Sequence, residues 1–313
     1  GVFPNAEVLK LPVADGGEGT TEALISATQG RYFSTQVMGP MGEVVNASWG
    51  MLGNSKTAVI EVANACGLSL VPLEKRNPMI ATSYGVGELI LAAVNEGSNH
   101  IIIGLGGSAS NDGGAGLLQA LGVRLLDISG NQLNRGGGSL SSLSSIDPGA
   151  IDSRLQGVSF EVACDVDNPL LGPQGTSVIF APQKGANSEM IAQLDANMRH
   201  YSDILTNTIK KDVSEVPGSG AAGGIGSAFL AFLNAELKSG INIVLDAIDF
   251  EHHIKGADLV ITGEGRFDSQ SIRGKAPIGV AKCAKRNRCL VFVIAGSVAG
   301  DKRLIHKHDI DRV

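Results

Sequence analysis

The placement of glycine constrains this chain more than any other feature. Glycines pair or triple at Gly16-Gly17, Gly106-Gly107, Gly113-Gly114, Gly136-Gly137-Gly138 and Gly223-Gly224, with no collagen-like period and no long polar tract around them. With 42 glycines among 313 residues, the share is nearly twice the usual ~7%. Glycine reaches positive φ and lets another group approach the main chain closely. Several such clusters on one chain therefore point to loops that receive an anionic group on backbone amides.

The apolar runs beside these clusters set the fold class. In the C-terminal third, Ala257–Thr262 reads as a strand ending in Gly263-Glu264-Gly265, a helix runs from about Lys275 to Lys285, and Leu290–Ala295 is a second strand. In the middle, a helix over Ser83–Glu96 leads to the strand His100–Leu105, a glycine-rich loop to Gly116, and a short helix Leu117–Leu121. Continuous apolar strands joined by helices predict a parallel sheet covered on both faces and built from right-handed βαβ units. Ligands of such sheets collect at the carboxyl ends of the strands.

Tyr32–Leu52 and Gly122–Asp165 differ, alternating in polarity around turn sequences as hairpins do. Val8–Pro12 reads as a strand preceding a helix over Thr21–Thr28, Ser188–Ile209 is a long helix, and small residues from Pro217 open a helix continuing to Leu237. A chain of 313 residues supports two domains at roughly 100–200 residues each. The fold class expected is α/β, a parallel-sheet domain with a second domain of mixed strands inserted into it.

Composition removes several function classes. A formal net charge of −6 without any Lys/Arg-rich run gives no footprint for nucleic acid or an anionic membrane. No apolar run approaches the roughly 18 residues of a membrane helix. Cys66, Cys164, Cys283 and Cys289 form no CxxC pair and no metal-ligand spacing, so reduced thiols and a cytoplasmic setting are expected. The histidines offer no third metal ligand at a suitable spacing. A homo-oligomer is compatible with all of this.

Five segments combine glycine with charge. Asp15-Gly16-Gly17-Glu18-Gly19-Thr20 is either a strand-to-helix turn capped by Thr20 or a place where Asp15 or Glu18 faces a ligand or metal. Residues 106–116, GGSASNDGGAG, suit a backbone nest for phosphate or carboxylate, with Gly106, Gly107, Ser108 and Asn111 as donors and Asp112 for Mg²⁺ or a substrate hydroxyl. No GxxxxGK[ST] spacing occurs, which excludes a P-loop. Asp165 follows an apolar strand, where a general base or metal ligand would stand, and the cation Lys184 lies downstream. Residues 217–226, PGSGAAGGIG, suit a phosphate cradle or close helix packing. Residues 262–275, TGEGRFDSQSIRGK, gather Glu264, Asp268, Arg266, Arg273 and Lys275 in one connection, and such density is costly unless it serves a ligand. Phosphoryl transfer to an alcohol uses these groups: cations and Mg²⁺ for the phosphates, a carboxylate for the hydroxyl proton. A dehydrogenase is disfavoured, since no GxGxxG follows a strand with an acidic residue about 20 positions on.

In order and spacing, VADGGEGT (13–20), GGSASNDGGAG (106–116), ACDVDNPL (163–170), FAPQKGA (180–186), PGSGAAGG (217–224) and TGEGRFDSQSIRGK (262–275) resemble the bacterial glycerate kinases of the galactarate and glyoxylate pathways. The likeness spans essentially the whole chain. It implies a flavodoxin/Rossmann-like α/β parallel-sheet domain (residues 1–14, 77–107 and 256–313) with a second mixed α/β domain inserted (residues 15–76 and 108–255), a cleft between the two, and transfer of the ATP γ-phosphoryl group to (R)-glycerate, giving 2-phosphoglycerate. The site expected on that basis has Asp165, Asp268, Arg266 and Lys275 as catalytic groups. Gly106, Gly107, Ser108, Asn111, Asp112, Lys184, Gly263, Glu264 and Gly265 bind substrate or phosphate, and Asp15 with Asp268 holds Mg²⁺. On the same resemblance, an APDSFK-like segment carrying an active-site lysine would precede Gly1 and a further strand and helix would follow Val313. The chain is accordingly expected to be a shortened copy.

Overall fold

The computed structural model describes residues 6–53, 55–267, 276–298 and 309–312. Helix α1 (Thr20–Thr28) is followed by an antiparallel hairpin, β1 (Arg31–Met38) and β2 (Val44–Met51), and by β3 (Thr57–Glu61), α2 (Val62–Cys66), α3 (Tyr84–Asn95) and β4 (His100–Gly104). The middle of the chain adds α4 (Ala115–Ala120), β5 (Arg124–Leu126), β6 (Ser145–Asp147), β7 (Ser159–Ala163), α5 (Thr176–Phe180), α6 (Ser188–Ile209), α7 (Ala221–Phe232) and β8 (Glu236–Lys238). Helices α8 (Gly240–Ala247) and α9 (Phe250–His253) lead to β9 (Leu259–Phe267), α10 (Ala276–Arg286) and β10 (Leu290–Val298).

One sheet has the order β1-β2-β3-β4-β7-β8. Its hairpin edge is antiparallel, and from β3 to β8 every neighbour is parallel. Strand β3 is buried at all five positions, as a parallel strand covered on both faces must be. Alternate residues of β3 and β4 feed two separate interiors. Ala58, Ile60, Ile101 and Ile103 enter a core with Trp49, Leu89, Leu117 and Phe229. Val59 and Ile102, paired in register, point the other way into a core with Leu24, Val244, Ile278 and Val291. That second core joins the sheet through α1 and α8 to the β9–α10–β10 unit, whose strands pair in parallel from Leu259 with Leu290 to Phe267 with Val298.

The long helix α6 has the predicted bounds. Its start is fixed by Asn187, whose Oδ1 accepts from the Met190 N–H at 2.9 Å, a cap that satisfies one of the orphan donors of the first turn. The hairpin over Tyr32–Leu52 and the βαβ units also form as expected. Strand β4, grouped above with residues 256–313, is hydrogen-bonded to β3 and β7, while β9 and β10 pair in a sheet of their own.

Four local readings need correction. Val8–Pro12 is not a strand; Val8 and Leu9 are exposed, and Pro12 has no N–H to give a ladder. Gly263, Glu264 and Gly265 lie inside β9 rather than in a loop after it, because β10 continues to Val298 and pairs with Gly263 and Glu264 on one side of Gly265 and with Arg266 and Phe267 on the other. Helix α7 stops at Phe232, not at Leu237, since Asn234 takes a positive φ of 46° and Leu237 is needed in β8. The loop after Asp147 crosses to β7, which joins the parallel sheet instead of a hairpin. All four cysteines are free, and among the described residues no helix is long and apolar enough to cross a membrane.

A tight backbone crossing holds α8 against the segment before α1. Gly16, at φ 90°, sits where an added Cβ would meet Ala163 Cβ at 2.6 Å and Gly240 Cα at 2.8 Å. A Cβ on Gly240 would fall on the carbonyl oxygen of Asp15. Gly240→Ala is therefore expected to cost about 3 kcal/mol or more, at the severe end for a single substitution. An unchanged thermal midpoint would contradict the crossing.

Candidate functional site

The crossing places two carboxylates at the carboxyl ends of β4 and β7. Gly104 ends β4 with its Cα hydrogens against the Gly16 carbonyl, an added Cβ lying 2.6 Å from that oxygen. Gly16 in turn abuts Ala163, the last residue of β7. Asp15 and Asp165, one residue before Gly16 and two after Ala163, are thereby held at the same end of the sheet. The Asp165 Oδ1 accepts from the Gly240 N–H at 3.0 Å, at the first turn of α8. Desolvation by the surrounding protein raises the Asp165 carboxyl pKa, and the charge of Asp15 adds to the rise, against the hydrogen bonds from Gly240 and Ser239.

The loop after β4 forms the next wall. Leu68 N–H donates to the Gly107 carbonyl and Ala109 N–H to the Cys66 carbonyl, which fixes the loop to the end of α2. The N–H groups of Gly106, Gly107 and Ser108 donate to no described residue. Behind the loop lies Lys184, only 1% exposed, whose Nζ donates to Ser108 Oγ at 2.9 Å and to the Ser110 carbonyl at 2.5 Å. Burial lowers its pKa to about 8, while the charges of Cys66 and Asp112 act in the opposite sense. Lys184 closes a short 3₁₀ turn, and Gly185 at φ 93° ends it against the Arg76 backbone. A buried ammonium with two acceptors still has one donor to give.

These walls enclose a cavity of about 290 Å³ in which Asp15, Gly106, Gly107, Ser108, Asp165 and Lys184 all take part. Six residues singled out in sequence, from four separated segments, thus line one space. Sequence reasoning missed part of its lining: Cys164 and Gln183, and Ala221 and Ala222 at the start of α7. The signal for the latter pair was the PGSGAAGG segment itself. Ala222, Gly223 and Gly224 are all left-handed, and a non-glycine residue there costs about 1–2 kcal/mol, the kind of strain retained at functional sites. The Cys164 thiol is raised by burial and by the neighbouring Asp165 and Asp167, so it stays protonated and is no nucleophile at neutral pH.

The other predicted residues stand elsewhere. Asp112 is fully buried and accepts from Ser83 N–H at 2.8 Å, Ser83 Oγ at 2.9 Å, and the Gly114 and Gly116 N–H groups at 3.2 Å each. Three of these donors fall on Oδ2 and one on Oδ1, and together they fasten the turn before α4 to the start of α3. Asn111 is equally buried and donates to Ser177 Oγ at 2.9 Å. Gly263, Glu264 and Gly265 are on the β9 ladder and do not line the cavity; the Glu264 Oε1 is buried without a hydrogen-bond partner among the described residues. Arg266 is on β9 as well, and Asp268 and Lys275 lie outside the described residues. Among the described residues no group of three or more His, Cys, Asp or Glu could hold a metal ion.

Comparison with known proteins gives a consistent result. The sequence profile described as Glycerate kinase family matches residues 1–313. The glycerate 2-kinase of Escherichia coli K12 is 56% identical over 312 residues, covering 100% of this chain and 82% of that protein. The glycerate kinase of Bacillus subtilis 168 is 55% identical over 310 residues, covering 99% and 81%. A crystal structure from Salmonella typhimurium LT2, provisionally described as glycerate kinase 2, superposes with a TM-score of 0.93 at 51% identity, over 100% of this chain and 82% of that one.

The part given to Asp112 is open to test. Asp112→Ala strands four buried donors and is expected to cost about 3–5 kcal/mol, the range for breaking a buried charged network, read from the urea midpoint. Were Asp112 a ligand-binding group instead, the same change would abolish activity and leave the midpoint where it was.

Proposed function

Because the chain belongs to the glycerate kinase family, it is a kinase that phosphorylates glycerate, and we propose that it moves the γ-phosphoryl group of ATP to the 2-hydroxyl of (R)-glycerate, giving 2-phosphoglycerate. The observation carrying this reading is the convergence of Lys184, the unengaged amides of residues 106–108 and the Asp15–Asp165 pair on one cavity of about 290 Å³. That volume is at the small end of ligand pockets, which run from roughly 300 to 1,000 Å³, and suits a three-carbon acid.

In this reading the glycerate carboxylate lies against the Gly106–Ser108 amides and the remaining Lys184 donor, with Arg266 and Lys275 as further cations for the transferred group. Asp165 takes the proton of the attacked hydroxyl. One of its oxygens is engaged by Gly240, which orients the other and keeps the carboxylate from rotating. Asp268 is its alternative for this role. Asp15 together with Asp268 would hold Mg²⁺, which is commonly bound through one or two carboxylates plus substrate phosphates; where Asp268 is the base instead, Asp165 takes its place beside the ion. When bound, such an ion neutralises charge developing on the phosphoryl oxygens. The β9–α10–β10 unit is read as part of the flavodoxin-like domain and the six-stranded sheet as the domain inserted into it, so that transfer occurs where the two face each other.

Two experiments decide the matter. In a coupled ADP-release assay with (R)-glycerate, Asp165→Asn should lower kcat by about 10²–10⁴-fold, the usual contribution of a general base; full activity in both Asp165→Asn and Asp268→Asn would remove both from the mechanism. The pH profile of kcat/KM should be bell-shaped. Asp165 works ionised and its pKa is raised, so the acid limb lies above the ordinary carboxylate value of ~4. Lys184 works protonated with a pKa of about 8, so activity falls as pH rises through about 8, and Lys184→Met should abolish that alkaline limb along with most activity. A profile flat through pH 9 would exclude the role given to Lys184.

A further inference from the structure

The cavity just described is too small for a nucleoside triphosphate, but it does not end at Asp165. Cys164, Asp165 and Val166 also form the wall of a second, larger cleft of about 1110 Å³, bounded by the ends of β7 and β8, by α8 and by α10. We propose that this cleft is the nucleotide site, with the triphosphate at its Asp165 end and the nucleoside at the far end of α8. The proposal rests on the kinase reading above and says where the donor lies relative to the acceptor.

The two helices run alongside each other in the same direction. Gly279 of α10 is packed on Ile241, so closely that an added Cβ would lie 2.5 Å from Ile241 Cγ1. Farther along, Arg286 and Asp246 feel each other's charge. The start of α8 is pinned to Asp165 through Gly240, so distance along α8 measures distance from the small cavity. Asp246 is six residues from Gly240, about 9 Å at 1.5 Å per residue.

The chemistry of the lining changes along that axis. Leu237, Ile241, Leu245 and Ile278 give the cleft an apolar side, as a purine base requires. Asp246, Asp249 and Glu251 gather at the far end, where they can accept from ribose hydroxyls and an exocyclic amine. Cations on the wall are Lys238, Lys282 and Arg286. Lys238 is already engaged, its Nζ 2.6 Å from Glu161 and 3.0 Å from Glu236. Lys282 is exposed and forms no ion pair among the described residues. One turn from Gly279 and one from Arg286, it stands midway along the cleft, within reach of a polyphosphate whose terminal group lies at Asp165.

The test compares wild type, Lys282→Glu and a control, Lys255→Glu, which makes the same charge change at an exposed site outside the cleft. ADP binding is read by titration calorimetry, and the KM values for ATP and glycerate from ADP release. Lys282→Glu is expected to weaken ADP binding and raise the KM for ATP tenfold or more while the KM for glycerate moves less than twofold; Lys282→Ala should show the same pattern at smaller size. Lys255→Glu should match wild type. ADP binding unchanged in Lys282→Glu, in a protein whose wild type turns over glycerate, overturns the cleft assignment and leaves the kinase reading standing. Selective loss of ADP binding in Lys282→Glu, with no glycerate turnover by wild type, does the reverse.

Discussion

Everything at the site depends on one steric constraint: backbones approach at Gly16, Gly104 and Gly240 more closely than a side chain would permit. The constraint is local, but its consequence is chemical. Two carboxylates from segments 150 residues apart reach the same end of a parallel sheet, and α8 presents an N–H to one of them. Without the crossing, Asp15 would sit on an unstructured lead-in and Asp165 on an ordinary turn, neither facing the other.

The same site holds a cation whose environment disfavours its charge. Lys184 pays for its burial with a proton that is easier to lose than in water, and it is kept in place by only two oxygens, from Ser108 and Ser110. Such a group attracts an incoming anion more strongly than an exposed lysine does, because little water stands between them. Asp165 is perturbed in the complementary sense, toward holding its proton. A carboxylate raised and an ammonium lowered within one cavity are the pattern expected where proton transfer and anion binding share a space.

Much of this was legible in the sequence, and the parts that were not have physical reasons. The glycine pair after β4 marked a loop at a strand end, and Asp15, Gly106, Ser108, Asp165 and Lys184, each singled out in the sequence, line one cavity. Sequence could not separate Asp112 from Asp165, since both follow glycine-rich or apolar stretches. What distinguishes them is what each meets after folding: Asp112 accepts from four donors and becomes an anchor, whereas Asp165 is held by Gly240 and Ser239 at the rim of the cavity, beside the charge of Asp15. Glu264 was misplaced because the length of a parallel strand is set by its neighbour; β10 is long enough to carry β9 through the glycines. The ladder of β4 with β3 and β7 was not legible for a related reason, as strand neighbours are chosen by packing between distant segments and leave no trace in local periodicity.

The two-sided character of β3 and β4 has a consequence for how the molecule comes apart. Val59 and Ile102 belong to one interior and Ile60, Ile101 and Ile103 to the other, so neither interior can be opened without withdrawing residues from strands that both share. The β9–α10–β10 unit, a mere two strands and a helix, borrows its order from that shared partition. Heat or denaturant should consequently dismantle both halves in a single concerted transition, and a defect introduced in either will lower the midpoint of the whole.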